Sequence, residues 1–240
     1  MKTETFDDYE AMSQRAKEMI IAELSVKKDT LLCVATGKSP TRTYELLVDE
    51  YKQRPTLFSQ MQIVKLDEWG NIPMDHPKTC ETYLQMHVIK PLHIDSDRYL
   101  SFFSNPADPY AECDRIQSEI DRAGGIDLCI LGLGMNGHIA LNEPADFLLP
   151  NCHVANLSEM TLQHPMASGM EKKPSYGFTL GMADILQSRK ILLLIHGSNK
   201  NAIARELFSG RISSKLPASF LWLHPDTTCL TDTGDLDQDN

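Results

Sequence analysis

The chain has 240 residues, 42% hydrophobic, 7% aromatic and 23% charged, which excludes fibrous, collagenous and disordered classes. Lys and Arg number 23 against 33 Asp and Glu, a formal net charge of −10 that repels phosphate backbones and anionic lipid, so neither nucleic acid nor a membrane is an expected partner. Four of the excess acids, Asp232, Asp235, Asp237 and Asp239, fall near the C-terminus with no Lys or Arg among them, so residues 232–240 read as a solvated acidic tail behind a single domain over 1–231.

Met12, Ala16, Met19, Ile20 and Leu24 form an apolar stripe at helical spacing and predict a helix over 7–24. Residues 31–35 are a short apolar run ending near Gly37, the pattern of a strand buried on both faces. Ser39 then reads as N-cap and Pro40 as first residue of a helix over roughly 40–53. Further along come a strand over 61–66, helices over 79–90 and 108–123, and a strand over 127–133. A strand over 190–195, a helix over 198–209 and a short strand at Cys229 and Leu230 complete the series. Strands alternating with helices predict an α/β fold, a Rossmann-like parallel sheet with helices on both faces, which binds ligands beyond the carboxyl ends of its strands. The irregular stretch of about 145–178 is longer than ordinary connections and reads as a lid or an excursion of the chain.

No run approaches the roughly 18 apolar residues of a membrane span, and Met1-Lys2-Thr3-Glu4 is too polar for a signal peptide, so a cytoplasmic protein is expected. The six cysteines, Cys33, Cys80, Cys113, Cys129, Cys152 and Cys229, form no CxxC pair and are expected reduced. The eight His show no metal-binding spacing, so no metal site is expected.

Four strand ends carry polar groups. Gly37-Lys38-Ser39 has the Gly-Lys-Ser of a P-loop, but Leu32 stands where that motif needs its first Gly. What survives is a glycine turn at a helix N-terminus, suited to a small phosphate or simply to a capped helix. Asp67 and Glu68 leave the next strand on opposite faces, so one at most enters the crevice, although acids at a strand end also serve merely to cap a loop. Gly132 to Gly137 matches GxGxxG, yet Pro144 follows too soon for a long helix, which argues against a dinucleotide. His138 and Glu143, five residues apart on that turn, form an acid/base pair, unless the imidazole is only satisfied by backbone. After the fourth strand comes Gly197 and then Lys200, a cation at a helix start that either faces an anion or points to solvent.

Together these segments resemble the glucosamine-6-phosphate deaminase (isomerase) family, a relative of the 6-phosphogluconolactonases. The similarity runs through Ala35 to Pro40, Leu66 to Trp69, Gly132 to Pro144 and Gly197 to Lys200. The run from Gly137 through His138-Ile139-Ala140 to Asn142-Glu143-Pro144 resembles the deaminases rather than the lactonases. Trp69, Thr79 to Thr82 and Pro217 to His224 look like the galactosamine-6-phosphate branch. So does Asn136, which stands where the glucosamine branch has an Asp.

The resemblance implies a cofactor-independent enzyme acting on a small-molecule amino sugar phosphate. Galactosamine 6-phosphate would undergo ring opening, aldose–ketose isomerisation and deamination to tagatose 6-phosphate and ammonia. His138 with Glu143 would open the ring, Asn136 would sit beside them, and Asp67 would move the C2 proton. Gly37, Lys38, Ser39 and Lys200 would hold the phosphate. The Arg that the family carries after its Asn-Glu-Pro segment has no counterpart near 162–164, and His164 or Lys38 would supply that charge. The alternatives are a glucosamine-6-phosphate deaminase giving fructose 6-phosphate, a 6-phosphogluconolactonase, and a non-catalytic sugar-phosphate sensor. The relatives include monomers and hexamers, so a homo-oligomer is left open.

Overall fold

The computed structural model describes residues 1–163 and 166–234. It opens with a strand that apolar patterning does not mark, β1 (Lys2–Thr5), whose polar residues pair with the last strand at the sheet edge. Helix α1 (Tyr9–Val26) follows, capped by Asp8 Oδ1 accepting from the Ala11 N–H at 2.8 Å. It buries Met12, Ala16, Ile20 and Leu24, one residue per turn. Strand β2 (Leu31–Val34) is wholly buried.

Helix α2 (Lys38–Gln53) starts two residues earlier than its sequence suggests. Gly37, at φ +96°, takes the cap position because a glycine tolerates that backbone, and Ser39 lies inside the first turn. No side chain caps this helix, so its first N–H groups are left for other acceptors.

Strand β3 (Gln62–Lys65) runs into β4 (Asp67–Gly70), which leaves the main sheet. Helix α3 (Cys80–Leu84) continues as a π-turn over Gln85–Ile89, and β5 (Tyr99–Leu100) precedes α4 (Pro109–Arg122) and β6 (Leu128–Gly132). No helix follows β6 directly: residues 133–152 form turns, in line with the early proline. The stretch after it is an excursion with secondary structure of its own: β7 (His153–Ala155), α5 (Glu159–Leu162) and β8 (Tyr176–Thr179). Then come α6 (Met182–Leu186), β9 (Lys190–Ile195), α7 (Asn201–Phe208) and β10 (Thr227–Thr231).

Seven strands form a parallel sheet in the order β1-β10-β9-β6-β2-β3-β5. Alternate residues feed two cores. Leu31, Cys33, Cys129, Leu131, Ile191 and Leu193 pack with α4 and α7 on one face. Leu32, Val34, Leu128, Ile130, Leu192 and Leu194 pack with α1 and α2 on the other. A single sheet is not the whole architecture, however. Strands β4, β8 and β7 make a second, antiparallel sheet of three strands, in which Asp67 pairs with Thr179 and Trp69 with Gly177. Aromatic and β-branched residues are sparse in the excursion, and the pairing of β8 with β4 and of β7 with β8 makes strands of it.

All six cysteines are free thiols, and Cys33, Cys129 and Cys229 lie in the buried strands expected of them. Among the described residues no helix is long and apolar enough to cross a membrane. Asp232, counted with the tail in the sequence, accepts the Gly197 N–H at 2.9 Å, and Thr233, counted with it too, is buried and donates its N–H to Thr231 Oγ1 at 3.2 Å.

Candidate active site

Chain order reverses direction across the sheet between β2 and β6, since β3 and β5 lie on one side and β9 and β10 on the other. Such a switch point opens a crevice at the carboxyl edge. Around it stand Gly37 to Ser39 after β2, Asp67 after β3, Leu133 to His138 after β6, and His196 to Lys200 after β9.

Asp67 begins β4 and is partly buried. Its Oδ1 accepts from the Cys80 thiol at 3.4 Å, and that sulfur also lies 3.6 Å from Thr36 Oγ1. Burial pushes the Asp67 carboxyl up to about 6, Cys80 and the charges of His138 and Lys65 pull against that rise, and the Glu68 charge adds to it. A carboxyl held there is poised to exchange a proton near neutral pH.

Glu68 points the other way, as strand alternation requires. It and Lys65 are both 0% exposed, with Lys65 Nζ 2.7 Å from Glu68 Oε2 and 2.9 Å from Glu81 Oε2. Glu68 also accepts the backbone N–H groups of Trp69, Cys80 and Glu81 at 2.8, 3.0 and 2.8 Å. One buried carboxylate thereby locks the start of β4, which carries Asp67, to the start of α3, which carries Cys80.

The turn after β6 assembles the second group. His138 Nδ1 lies 3.5 Å from Glu143 Oε2. Asn136 donates its side-chain amide to that oxygen at 2.8 Å and accepts the His138 N–H at 3.2 Å. Ser158 and Thr161, at the start of α5, donate to Glu143 Oε1. Burial alone would raise the Glu143 carboxyl, but the His138 contact and charge, with Thr161 and Asn136, outweigh it and hold the group at about 2. Gly134 leaves no room for a Cβ because the His138 ring lies against it. Ala140, at φ +54°, strains the loop, and Asn142 braces it by donating to the Ile139 and Leu180 carbonyls at 3.0 and 2.9 Å.

Lys200 Nζ donates to the Leu133 carbonyl at 2.6 Å, and burial pulls its ammonium down to about 8. Lys38 is exposed beside Gly37 and Ser39. His164 lies outside the described residues. The other eight residues expected from the sequence, Gly37, Lys38, Ser39, Asp67, Asn136, His138, Glu143 and Lys200, all follow the carboxyl ends of β2, β3, β6 and β9. Among the described residues no group of three or more His, Cys, Asp or Glu is arranged to hold a metal ion.

A family model described as glucosamine-6-phosphate isomerases/6-phosphogluconolactonase matches residues 7–230. The chain belongs to that family. It is 42% identical over 227 residues to an Escherichia coli K12 protein named "Putative deaminase AgaI", covering 95% of this chain and 90% of that one. It is 37% identical over 229 residues to the glucosamine-6-phosphate deaminase of Geobacillus sp. WCH70, covering 94% and 90%. The solved structure of a monomeric glucosamine-6-phosphate deaminase superposes with a TM-score of 0.91 at 34% identity, covering 97% of each chain. A 6-phosphogluconolactonase from Leishmania guyanensis gives 0.78 at 20% identity, which shows the shared fold. The chain is thus an enzyme of the deaminase/isomerase family.

Within this family member, sequence reasoning missed the residues that hold the candidate groups. Cys80 was one thiol among six, and nothing local ties it to Asp67, 13 residues away. Ser158 and Thr161 do carry a signal, since a Ser with a partner three residues on is a helix cap, and Ser158 caps α5 by accepting the Thr161 N–H. Their reach to Glu143 has none.

Proposed function

We propose that the enzyme is a galactosamine-6-phosphate deaminase that yields tagatose 6-phosphate and ammonia. The observation that carries this reading is the pairing of two acid/base centres of different strength around one crevice. Asp67 sits near 6, while the Glu143 carboxylate faces His138 and stays ionised to about 2. A lactonase needs one proton-transfer group to activate water, whereas an amino sugar isomerase needs a second for carbon acid chemistry.

His138, its imidazolium stabilised by Glu143, delivers a proton to the ring oxygen and takes the C1 hydroxyl proton in exchange, and the pyranose opens to the aldehyde. His138 hands a proton to O1 as Asp67 takes the one from C2, and the electron pair moves to give a 1,2-enolamine. Return of that proton to C1 leaves an imine at C2. Water adds to the imine carbon, the C–N bond breaks, and ammonia leaves with the ketose phosphate. The α2 N-terminus at Gly37 to Ser39, with Lys38 and Lys200, holds the phosphate and orients the reacting carbons. The excursion, whose α5 side chains touch Glu143, serves as a lid.

The choice of the galactosamine epimer is supported by Trp69 and Asn136. The test is side-by-side ammonia release from galactosamine 6-phosphate and glucosamine 6-phosphate, with 6-phosphogluconolactone hydrolysis as a third arm. Higher kcat/KM for the galactosamine substrate is expected. A preference for glucosamine 6-phosphate would reassign the substrate, and turnover of the lactone alone would overturn the deaminase.

A further inference from the structure

Asp232, His196 and Tyr9 connect the two turns to which the phosphate is assigned. Asp232, just past β10, accepts the Gly197 N–H on Oδ1 at 2.9 Å and faces His196 Nδ1 with Oδ2 at 2.6 Å. The His196 ring stacks on Tyr9 with centroids 3.9 Å apart and planes 21° from parallel. The Tyr9 hydroxyl lies 2.5 Å from the Lys38 carbonyl and 3.2 Å from that of Ser39, and it accepts the Arg42 N–H at 3.0 Å. Arg42 is itself forked onto Glu10 at 2.6 and 3.0 Å, which ties the first turn of α2 to the first turn of α1. A continuous path therefore runs from Gly197 through Asp232, His196 and Tyr9 to Lys38 and Ser39.

The elements it joins are not neighbours in the sheet. Strand β6 separates β2, which leads into Gly37, from β9, which leads into Gly197. Both turns pivot on glycines at positive φ, +96° and +93°. An anion gripped by both turns requires their separation to be held within a fraction of an ångström.

We infer that Tyr9, His196 and Asp232 form a strut that sets the spacing of the Gly37 and Gly197 turns, and that they are positioning residues for substrate phosphate. The inference rests on the assignment of the phosphate to these turns. None of the three carries a proton in the reaction. Losing the strut therefore weakens binding of everything that bears the phosphate and spares the chemistry once substrate is bound.

The test combines steady-state kinetics with competitive inhibition by inorganic phosphate. Asp232→Ala removes both hydrogen bonds and is expected to raise KM and the phosphate Ki together by about tenfold, with kcat within about threefold. Tyr9→Phe keeps the stacked ring, loses only the hydroxyl links, and should shift both constants in the same direction by a smaller factor. It also carries the test should Asp232→Ala fail to fold. Lys200→Met is the control on the underlying assignment. If Lys200→Met weakens phosphate while Asp232→Ala and Tyr9→Phe lower only the melting temperature, the strut is a structural brace and the inference is overturned. If Lys200→Met leaves the phosphate Ki unchanged, the phosphate lies elsewhere and the assignment fails first, taking the strut with it.

Discussion

Asn136 donates its side-chain amide to Glu143 Oε2 at 2.8 Å. An amide can give that bond and an ionised carboxylate cannot, so of these two side chains Glu143 alone brings a negative charge to His138. Asn136→Asp places a second carboxylate against the first, and the two then compete for one proton. The Glu143 group should rise from about 2. A carboxyl NMR titration of the variant checks this, and an unmoved Glu143 would mean that the two carboxylates share no proton.

Asp67 acts as a base only when ionised. With its carboxyl at about 6, kcat/KM should fall about tenfold per unit below that pH. The same shift bears on stability. A folded value raised above the unfolded one means that the native state holds the proton more tightly, so stability is lost as pH rises from about 4 through about 6. Asp67→Asn should therefore abolish C2 proton exchange and stabilise the fold at pH 8 by on the order of 2 kcal/mol, little of which persists at pH 4. Thermal melts at the two pH values, with solvent deuterium exchange at C2, measure both effects.

Cys80 lowers Asp67 through a single thiol hydrogen bond. Cys80→Ala should raise the Asp67 group further and move the acid limb upward by about half a unit, while Cys80→Ser should restore part of it. If Cys80→Ala leaves the limb in place, the thiol does not tune the base.

Lys65 neutralises Glu68 and Glu81 out of water. Burial would lower its ammonium, and the two carboxylates outweigh that and raise it. Lys65→Met strips the countercharge from both acids and should cost about 3–5 kcal/mol. Urea denaturation at neutral pH tests this, since a loss below 1 kcal/mol would mean that the carboxylates find other partners.

Two truncations separate the tail from the strut. A chain ending at Gly234 keeps Asp232 and should match the full chain in kcat and KM. A chain ending at Thr231 lacks Asp232 and should show the raised KM of Asp232→Ala. Equal kinetics for the two would show that Asp232 contributes nothing to the site.

Much of the molecule was legible before any coordinates. Apolar runs at 31–35, 61–66, 127–133 and 190–195 became β2, β3, β6 and β9, because strands buried on both faces are apolar through most of their length. The polar edge strand β1 and the strands β7 and β8 had no such signature, since their pairing depends on partners distant in sequence. Even the start of α2 was misjudged: Ser39 and Pro40 mimic a cap, but the positive φ of Gly37 begins the helix sooner.

By itself the sequence determined the parallel sheet, the crevice edge and the residue types gathered there, because hydrophobic period and glycine turns are local properties of the chain. Only the tertiary structure decided what each candidate group touches. Asp67 meets Cys80 at 13 residues' distance, Glu143 meets Thr161 at 18, and His196 meets Asp232 at 36. Such contacts set charge, burial and spacing, and they arise from strand order and helix packing, which no stretch of chain encodes alone.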